Sequence, residues 1–87
     1  MQVSFEISLY PLAIDEYKSE IWSFIHRIKA NEELNVVTNG MSTQVFGEYD
    51  LVSSTVMTEI KRVHEEIGSA VFIVKIVNGN RAIPEEE

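Results

Sequence analysis

Residues 34–48 read LNVVTNGMSTQVFGE and decide the fold, because two strand-like segments lie on either side of an Asn-Gly pair. The first segment, Leu34 to Thr38, is rich in β-branched residues, and the second runs from Ser42 to Glu48. Asn-Gly between two such segments is a strong hairpin signal, since a type I′ turn requires positive φ at both central residues. The stretch therefore predicts a β-hairpin at the centre of the chain.

A two-residue turn at Asn39-Gly40 would also fix the register of this hairpin, with Thr38 opposite Met41 and Val36 opposite Thr43. Side chains alternate between the two faces of a strand. One predicted face carries Leu34, Val36, Thr43 and Val45, and the other carries Val37, Ser42, Gln44 and Phe46. Both faces mix apolar and polar side chains, so the pattern leaves open which of them packs against helices.

Upstream of the hairpin, Gln2 to Tyr10 alternates with period two and predicts a strand that Pro11 ends. Its polar face presents Ser4, Glu6, Ser8 and Tyr10. Asp15 is a candidate helix N-cap, and the helix it begins should end around Ala30-Asn31. The apolar stripe of that helix consists of Tyr17, Ile21, Phe24, Ile25 and Ile28, with Trp22 off its centre.

Downstream of the hairpin, the pattern changes to helical spacing and then back to a strand. Asp50 is a candidate N-cap, and Gly68 lies where a helix C-terminal glycine belongs. Between them runs a stripe of Val52, Val56, Ile60, Val63 and Ile67. Ala70 to Val77 is nearly all apolar and predicts the last strand.

The predicted order βαββαβ, with right-handed crossovers, gives an α+β ferredoxin-like sandwich: a four-stranded antiparallel sheet with both helices on one face. We expect a single domain over residues 1–79 and a loose, polar, acidic tail over residues 80–87. The helices cover only one sheet face. Val71 and Ile73, or the alternate pair Phe72 and Val74, would then expose more apolar area than a monomer surface carries, which predicts a homo-oligomer.

Composition excludes several classes of function. The 87 residues include 7 basic and 14 acidic side chains, a net charge of −7, and a phosphate-backbone or anionic-membrane binder needs the opposite balance. No cysteine is present, so disulfides, thiolate metal sites and a cysteine nucleophile are excluded. No apolar run approaches the roughly 20 residues of a membrane span, and the N-terminus lacks a basic signal-peptide region. We expect a cytoplasmic protein without nucleic-acid or membrane partners.

The chain also lacks the usual residue constellations of catalysis. His26 and His64 lie on different predicted helices without a second metal ligand at helical spacing, so no metal site is predicted. No serine or threonine has a histidine predicted beside it, and no glycine-rich phosphate loop is present. Glu6 and Lys75 should meet on neighbouring strands as a cross-strand ion pair. The residue pattern therefore offers no candidate catalytic site.

Two stretches resemble the thiamine-binding YkoF-like family. They are Phe5-Glu6-Ile7-Ser8-Leu9-Tyr10-Pro11-Leu12, with a Ser-x-Tyr-Pro-Leu ending, and Asn39 to Glu48, with Ser-Thr before a Val and a Gly. Residues 73–76, Ile-Val-Lys-Ile, are similar to the last strand of the family. The resemblance implies the ferredoxin-like fold, a homotetramer assembled through the sheets, and non-enzymatic binding of thiamine or its hydroxymethylpyrimidine moiety.

The same resemblance implies ligand contacts at Ser42 and Thr43 of the hairpin and at Ser8 and Tyr10 of the first strand, without any cofactor besides the bound ligand. Glu6 and Asn39 are added on chemical grounds. Hydroxyls both donate and accept hydrogen bonds, a carboxylate accepts from an exocyclic amine, and a phenol ring packs on a flat cation. These side chains suit other small cationic heterocycles equally well.

Other functions of this fold fit unequally. An acylphosphatase needs an arginine in the loop after the first strand and an asparagine nearby, and residues 11–15 have neither. An RNA-recognition module needs aromatics on the middle strands and a basic balance, and Phe46 alone at a net charge of −7 is too little. A ligand-free structural oligomer and an amino-acid-binding regulatory domain remain alternatives. The sequence leaves open whether thiamine, its precursor or a phosphorylated form is preferred, and whether the role is transport, storage or sensing.

Overall fold

The computed structural model describes residues 1–12 and 17–84, and within them it contains the six predicted elements in the predicted order. Asp15, the predicted N-cap of the first helix, lies outside these residues. The element bounds are β1 (Gln2–Pro11), α1 (Tyr17–Lys29), β2 (Asn35–Thr38), β3 (Thr43–Glu48), α2 (Tyr49–Ile67) and β4 (Ala70–Asn78).

The four strands form one antiparallel sheet in the order β2-β3-β1-β4, which confirms the ferredoxin-like prediction. The core lies between one sheet face and the two helices. Burial of a Val, Ile or Phe side chain contributes about 1.5–3 kcal/mol, so this layer supplies most of the stabilisation. Its fully buried members are Val3 and Val45 from the sheet, Phe24 and Ile28 from α1, and Val52, Val56 and Val63 from α2.

The sequence predicted the C-terminal end of α2 correctly but not its N-cap. Gly68 follows the helix with φ of 76°, and its N–H donates to the carbonyl of His64 over 3.1 Å, as predicted for the C-terminus. The N-cap is Glu48 rather than Asp50: its carboxylate accepts from the Leu51 N–H at 2.9 Å. Asp50 instead lies in the first turn, where its charge complements the helix dipole. The strand thus passes directly into the helix without an intervening loop.

The predicted hairpin is present, but its predicted two-residue turn is wrong. Thr38 pairs with Thr43 and Val36 with Val45, so four residues, Asn39 to Ser42, form the loop. The Asn39 side chain provides the physical reason, since its Oδ1 accepts from the backbone N–H of Met41 at 2.9 Å and of Ser42 at 3.3 Å. This local turn competes with the type I′ geometry.

The register error is two residues, which leaves every side chain on its predicted face because the strand period is also two. The structure also shows which face meets the helices: Val45 is fully buried, and Leu34 and Val36 join the same cluster. Gly47 allows this close packing, since a Cβ there would lie 2.9 Å from a Leu34 methyl and 3.3 Å from a Val52 methyl.

The residues after β4 return across the start of β1. The Ser4 hydroxyl donates to the Gly79 carbonyl at 2.7 Å and accepts from the Arg81 N–H at 2.8 Å. The Gly79 N–H donates to the Gln2 carbonyl at 2.8 Å. Arg81, the second residue of the predicted tail, is therefore hydrogen-bonded to β1. Phe46, which is only 4% exposed although it lies on the face away from the helices, lines a small pocket together with Arg81.

Candidate functional site

A cleft lies at the point where β1 extends beyond its partner β3. The pairing of β1 with β3 runs from Gln2 to Ile7, whereas its pairing with β4 continues to Pro11. The edge of β1 between these points faces a recess of about 440 Å³, which α1 closes on one side and the β2–β3 loop on the other. This volume is sufficient for a small organic ligand.

Five of the six predicted ligand-binding residues line this cleft. Ser8 and Tyr10 come from the extended end of β1, and Asn39, Ser42 and Thr43 come from the hairpin. Two groups of residues that are at least 29 positions apart in the sequence therefore meet at one site. The fold supplies this meeting because β1 and β3 are neighbours in the sheet.

Thr43 and Ser42 approach the cleft from opposite faces of the sheet. Thr43 lies on the helix side, is 6% exposed, and shares a hydrogen bond of 2.9 Å with the hydroxyl of Thr38. Ser42 lies on the open side, where its hydroxyl donates to Glu6 Oε2 at 3.0 Å. Adjacent strand residues point in opposite directions, so a pocket at a strand end can be lined from both faces.

Glu6 is the predicted residue that does not line the cleft. It lies on the open face of the sheet, where its Oε1 is 3.1 Å from Lys75 Nζ and its Oε2 is 3.4 Å from Gln44 Nε2. The predicted Glu6–Lys75 ion pair is thus present. Hydrogen bonds from Lys75 and then Ser42, together with the Lys75 charge, lower the pKa of Glu6. Its contact with the cleft is indirect, through Ser42.

Trp22 and Lys18 of α1 also line the cleft but are not among the predicted residues. Trp22 is 49% exposed and packs on the His26 ring at 5.8 Å between centroids. Its position off the centre of the apolar stripe was the available signal, since a large aromatic beside a buried stripe lies at a helix edge. The remaining wall is mostly apolar and includes Ile7, Leu9, Ile21 and Ile25, with Thr38 as its polar member.

A second charged cluster lies between the helices. The carboxylate of Glu59, 8% exposed, contacts Nε of Arg27 at 2.5 Å and Nε of Arg62 at 3.1 Å. None of these residues lines the cleft, and the cluster joins α1 to α2. Across residues 1–12 and 17–84, no three acidic or histidine side chains are grouped as metal ligands. In the same ranges, no helix has the length and hydropathy needed to cross a bilayer.

The match to a family model extends over residues 2–78, almost the whole sheet-and-helix domain. The model is that of the YKOF-related family. The chain belongs to the YKOF-related family. This assignment confirms the resemblance carried by β1, the hairpin and β4. Among curated proteins, none matches the sequence significantly.

Solved structures with the same fold support the YKOF-related architecture. A hypothetical protein from Methanocaldococcus jannascii is 24% identical, with a TM-score of 0.77 over 94% of this chain and 84% of its own. A Streptococcus pneumoniae protein is 18% identical, with a TM-score of 0.77 over 93% and 90% of the two chains. A Thermotoga maritima protein, provisionally assigned to thiamine biosynthesis or salvage, is 18% identical, with a TM-score of 0.76 over 87% and 82%. At these identities the likeness shows the fold.

Proposed function

We propose that this protein binds thiamine, or its hydroxymethylpyrimidine moiety, in the cleft beside β1 and does so without catalysis. The observation that carries the proposal is the convergence of Ser8, Tyr10, Asn39, Ser42 and Thr43 on one recess of about 440 Å³. Family membership and the thiamine-related assignment of the Thermotoga maritima protein support this ligand class. We also propose a cytoplasmic location.

The walls of the cleft suit the two parts of thiamine. Tyr10 and Trp22, 53% and 49% exposed, offer aromatic faces to a flat ring or to the cationic thiazolium. The hydroxyls of Ser42 and Thr43 and the amide of Asn39 lie in the hairpin portion, where a pyrimidine edge can form hydrogen bonds. The net charge of −7 raises the local concentration of a cation.

Substitution of Thr43 tests the ligand assignment. Thr43→Val removes one hydroxyl from the cleft at nearly constant volume, and loss of one neutral hydrogen bond costs about 0.5–1.5 kcal/mol. We expect thiamine affinity to fall by roughly two- to tenfold in calorimetric titration. Thr58→Val, on the exposed surface of α2, is the matched control and should bind like the native protein.

The titration is run with thiamine and with free hydroxymethylpyrimidine. If neither ligand binds at millimolar concentration, the proposed function is wrong. If both bind but Thr43→Val retains native affinity, the ligand occupies another part of the molecule.

We also propose that four copies assemble through their sheets. The open face presents exposed apolar side chains on its outer strands: Val71 at 45%, Ile73 at 60% and Val37 at 43% exposure. The β4 residues that alternate with Val71 and Ile73 are Phe72 and Val74, and these pack toward the helices instead. A second sheet of the same kind is the partner that fits such a face, because its apolar strands have the same spacing.

A further inference from the structure

We propose that the cleft selects a ligand edge in which a hydrogen-bond acceptor lies beside a donor, as in a 4-aminopyrimidine, and rejects the reversed edge of a 4-oxopyrimidine. The selecting groups are Ser42 and Asn39, and Glu6 is the positioning residue that fixes the polarity of Ser42. This inference rests on the proposed function and adds to it the reason for ligand choice.

The polarity of Ser42 follows from its contact with Glu6. A serine hydroxyl has one hydrogen to donate and two lone pairs that accept. An ionised carboxylate only accepts, so the 3.0 Å contact commits the Ser42 hydrogen to Glu6 Oε2. Ser42 lines the cleft, and what remains for a ligand is its lone pairs. At this position the cleft accepts a hydrogen bond from a ligand donor.

The network around Glu6 keeps this arrangement in place. Lys75 contacts Oε1 at 3.1 Å, on the side away from Ser42, and Gln44 shares Oε2. A cation beside a carboxylate favours the ionised form. Neither Glu6 nor Lys75 lines the cleft, so both act through Ser42 without contacting a ligand there.

Asn39 has the opposite polarity. Its Oδ1 accepts from two backbone N–H groups of its own loop, those of Met41 and Ser42. The oxygen is therefore occupied, and the Nδ2 amide group is what Asn39 has left to offer a ligand. Asn39 lines the same cleft as Ser42, and its Oδ1 is 3.3 Å from the Ser42 nitrogen. A donor, the Asn39 amide nitrogen, and an acceptor, the Ser42 hydroxyl oxygen, thus belong to one loop that lines the cleft.

The two pyrimidine classes present opposite edges to this pair. A 4-aminopyrimidine places a ring-nitrogen acceptor beside an N–H donor, which complements the Asn39 donor and the Ser42 acceptor. The 4-oxo form places a ring N–H beside a carbonyl oxygen. Its N–H would then face the Asn39 donor, and its oxygen would face the Ser42 acceptor. Unpaired polar groups are more costly than the matching bonds are favourable, which makes this a strong basis for discrimination.

Thiamine and its 4-oxo analogue, oxythiamine, test the inference because they differ only at this edge. We expect the native protein to bind thiamine at least about tenfold more tightly, since two hydrogen bonds are replaced by two repulsive contacts. Glu6→Ala frees the Ser42 hydrogen, and the preference should fall below about threefold. Ser42→Ala should weaken thiamine binding and, because it removes one of the two repulsive contacts, strengthen oxythiamine binding. Glu65→Ala, an exposed acid on α2, removes the same charge and should keep the native preference.

The outcomes separate the inference from the proposed function. Equal affinity of the native protein for both compounds, or a preference unchanged by Glu6→Ala and Ser42→Ala, overturns the inference while thiamine binding stands. Binding of neither compound overturns the proposed function, and the inference with it.

Discussion

The carboxylate of Glu6 connects three strands through one side chain. From β1 it reaches Lys75 on β4, Gln44 on β3 and Ser42 at the end of the loop before β3.

The lowered pKa of Glu6 has a defined consequence for the stability of the fold. A group with a folded-state pKa below its unfolded value stabilises the fold above the unfolded pKa, and that contribution is lost as pH falls through the folded pKa. Since the site is exposed to solvent, salt screens this contribution.

Substitution of Lys75 tests the origin of the pKa of Glu6. Lys75→Met removes both the hydrogen bond and the charge, so we expect the Glu6 pKa to rise toward its ordinary value. The measurement is a carbon-13 NMR titration of the side-chain carboxyl groups. Lys61→Met, on the exposed side of α2, controls for the change in net charge and should leave Glu6 unaffected. An unchanged Glu6 titration in Lys75→Met would show that Ser42 and Gln44 alone lower its pKa.

At the scale of elements, sequence periodicity predicted the interior of each helix and strand well and their ends less well. The apolar stripe from Val52 to Val63 is buried, as its helical spacing predicted, because the geometry of a helix repeats regardless of context. The start of α2 is different: Asp50 is a good capping residue by type, but β3 continues to Glu48 and the helix follows at once. The position of the helix N-cap depends on the residue at which the preceding strand ends. Pairing of that strand in the sheet determines this residue.

Two glycines with equal free space for a side chain allow the effect of backbone conformation on stability to be predicted. Gly68 and Gly40 both have free space where a Cβ would lie, but only Gly68 has positive φ, at 76°. Gly68→Ala should therefore destabilise the protein by about 1–3 kcal/mol through backbone strain alone. Gly40→Ala should change stability by less than about 0.5 kcal/mol. Urea unfolding of both variants at one protein concentration measures the difference, and equal stabilities would contradict the strain argument.

For the whole molecule, the sequence placed the candidate ligand-binding residues in neighbouring elements but did not predict the shape of the cleft that five of them line. Ser42, Thr43, Ser8 and Tyr10 were expected from the family motif, and they line one cleft. The cleft itself depends on the difference in length between two paired strands, and the four-residue loop sets where β3 begins. A single-sequence pattern cannot specify that offset, because a two-residue shift preserves every face. The sequence pattern could not predict the Ser42–Glu6 contact either, because that contact also depends on the register of the hairpin.

The proposed assembly belongs to this scale as well. Sedimentation at micromolar concentration should give a mass of about four times 9.9 kDa for the native protein. Ile73→Glu places a charge on the open face and should dissociate the assembly, since burying an unpaired carboxylate is costly. Met57→Glu, at 59% exposure on α2, is the matched control and should retain the native mass. A native monomer, or an Ile73→Glu tetramer, would contradict assembly through this face.

The end of β1 beyond Ile7 has a further consequence for how the protein avoids aggregation. A strand edge with free backbone N–H and C=O groups is a template onto which another chain can add a strand. Here that edge is recessed between α1 and the β2–β3 loop, and Pro11 at its end has no N–H to offer. A strand from a neighbouring molecule could pair with this edge only by entering the recess between α1 and the β2–β3 loop. The same recess that admits a small ring therefore keeps the sheet from growing at this edge.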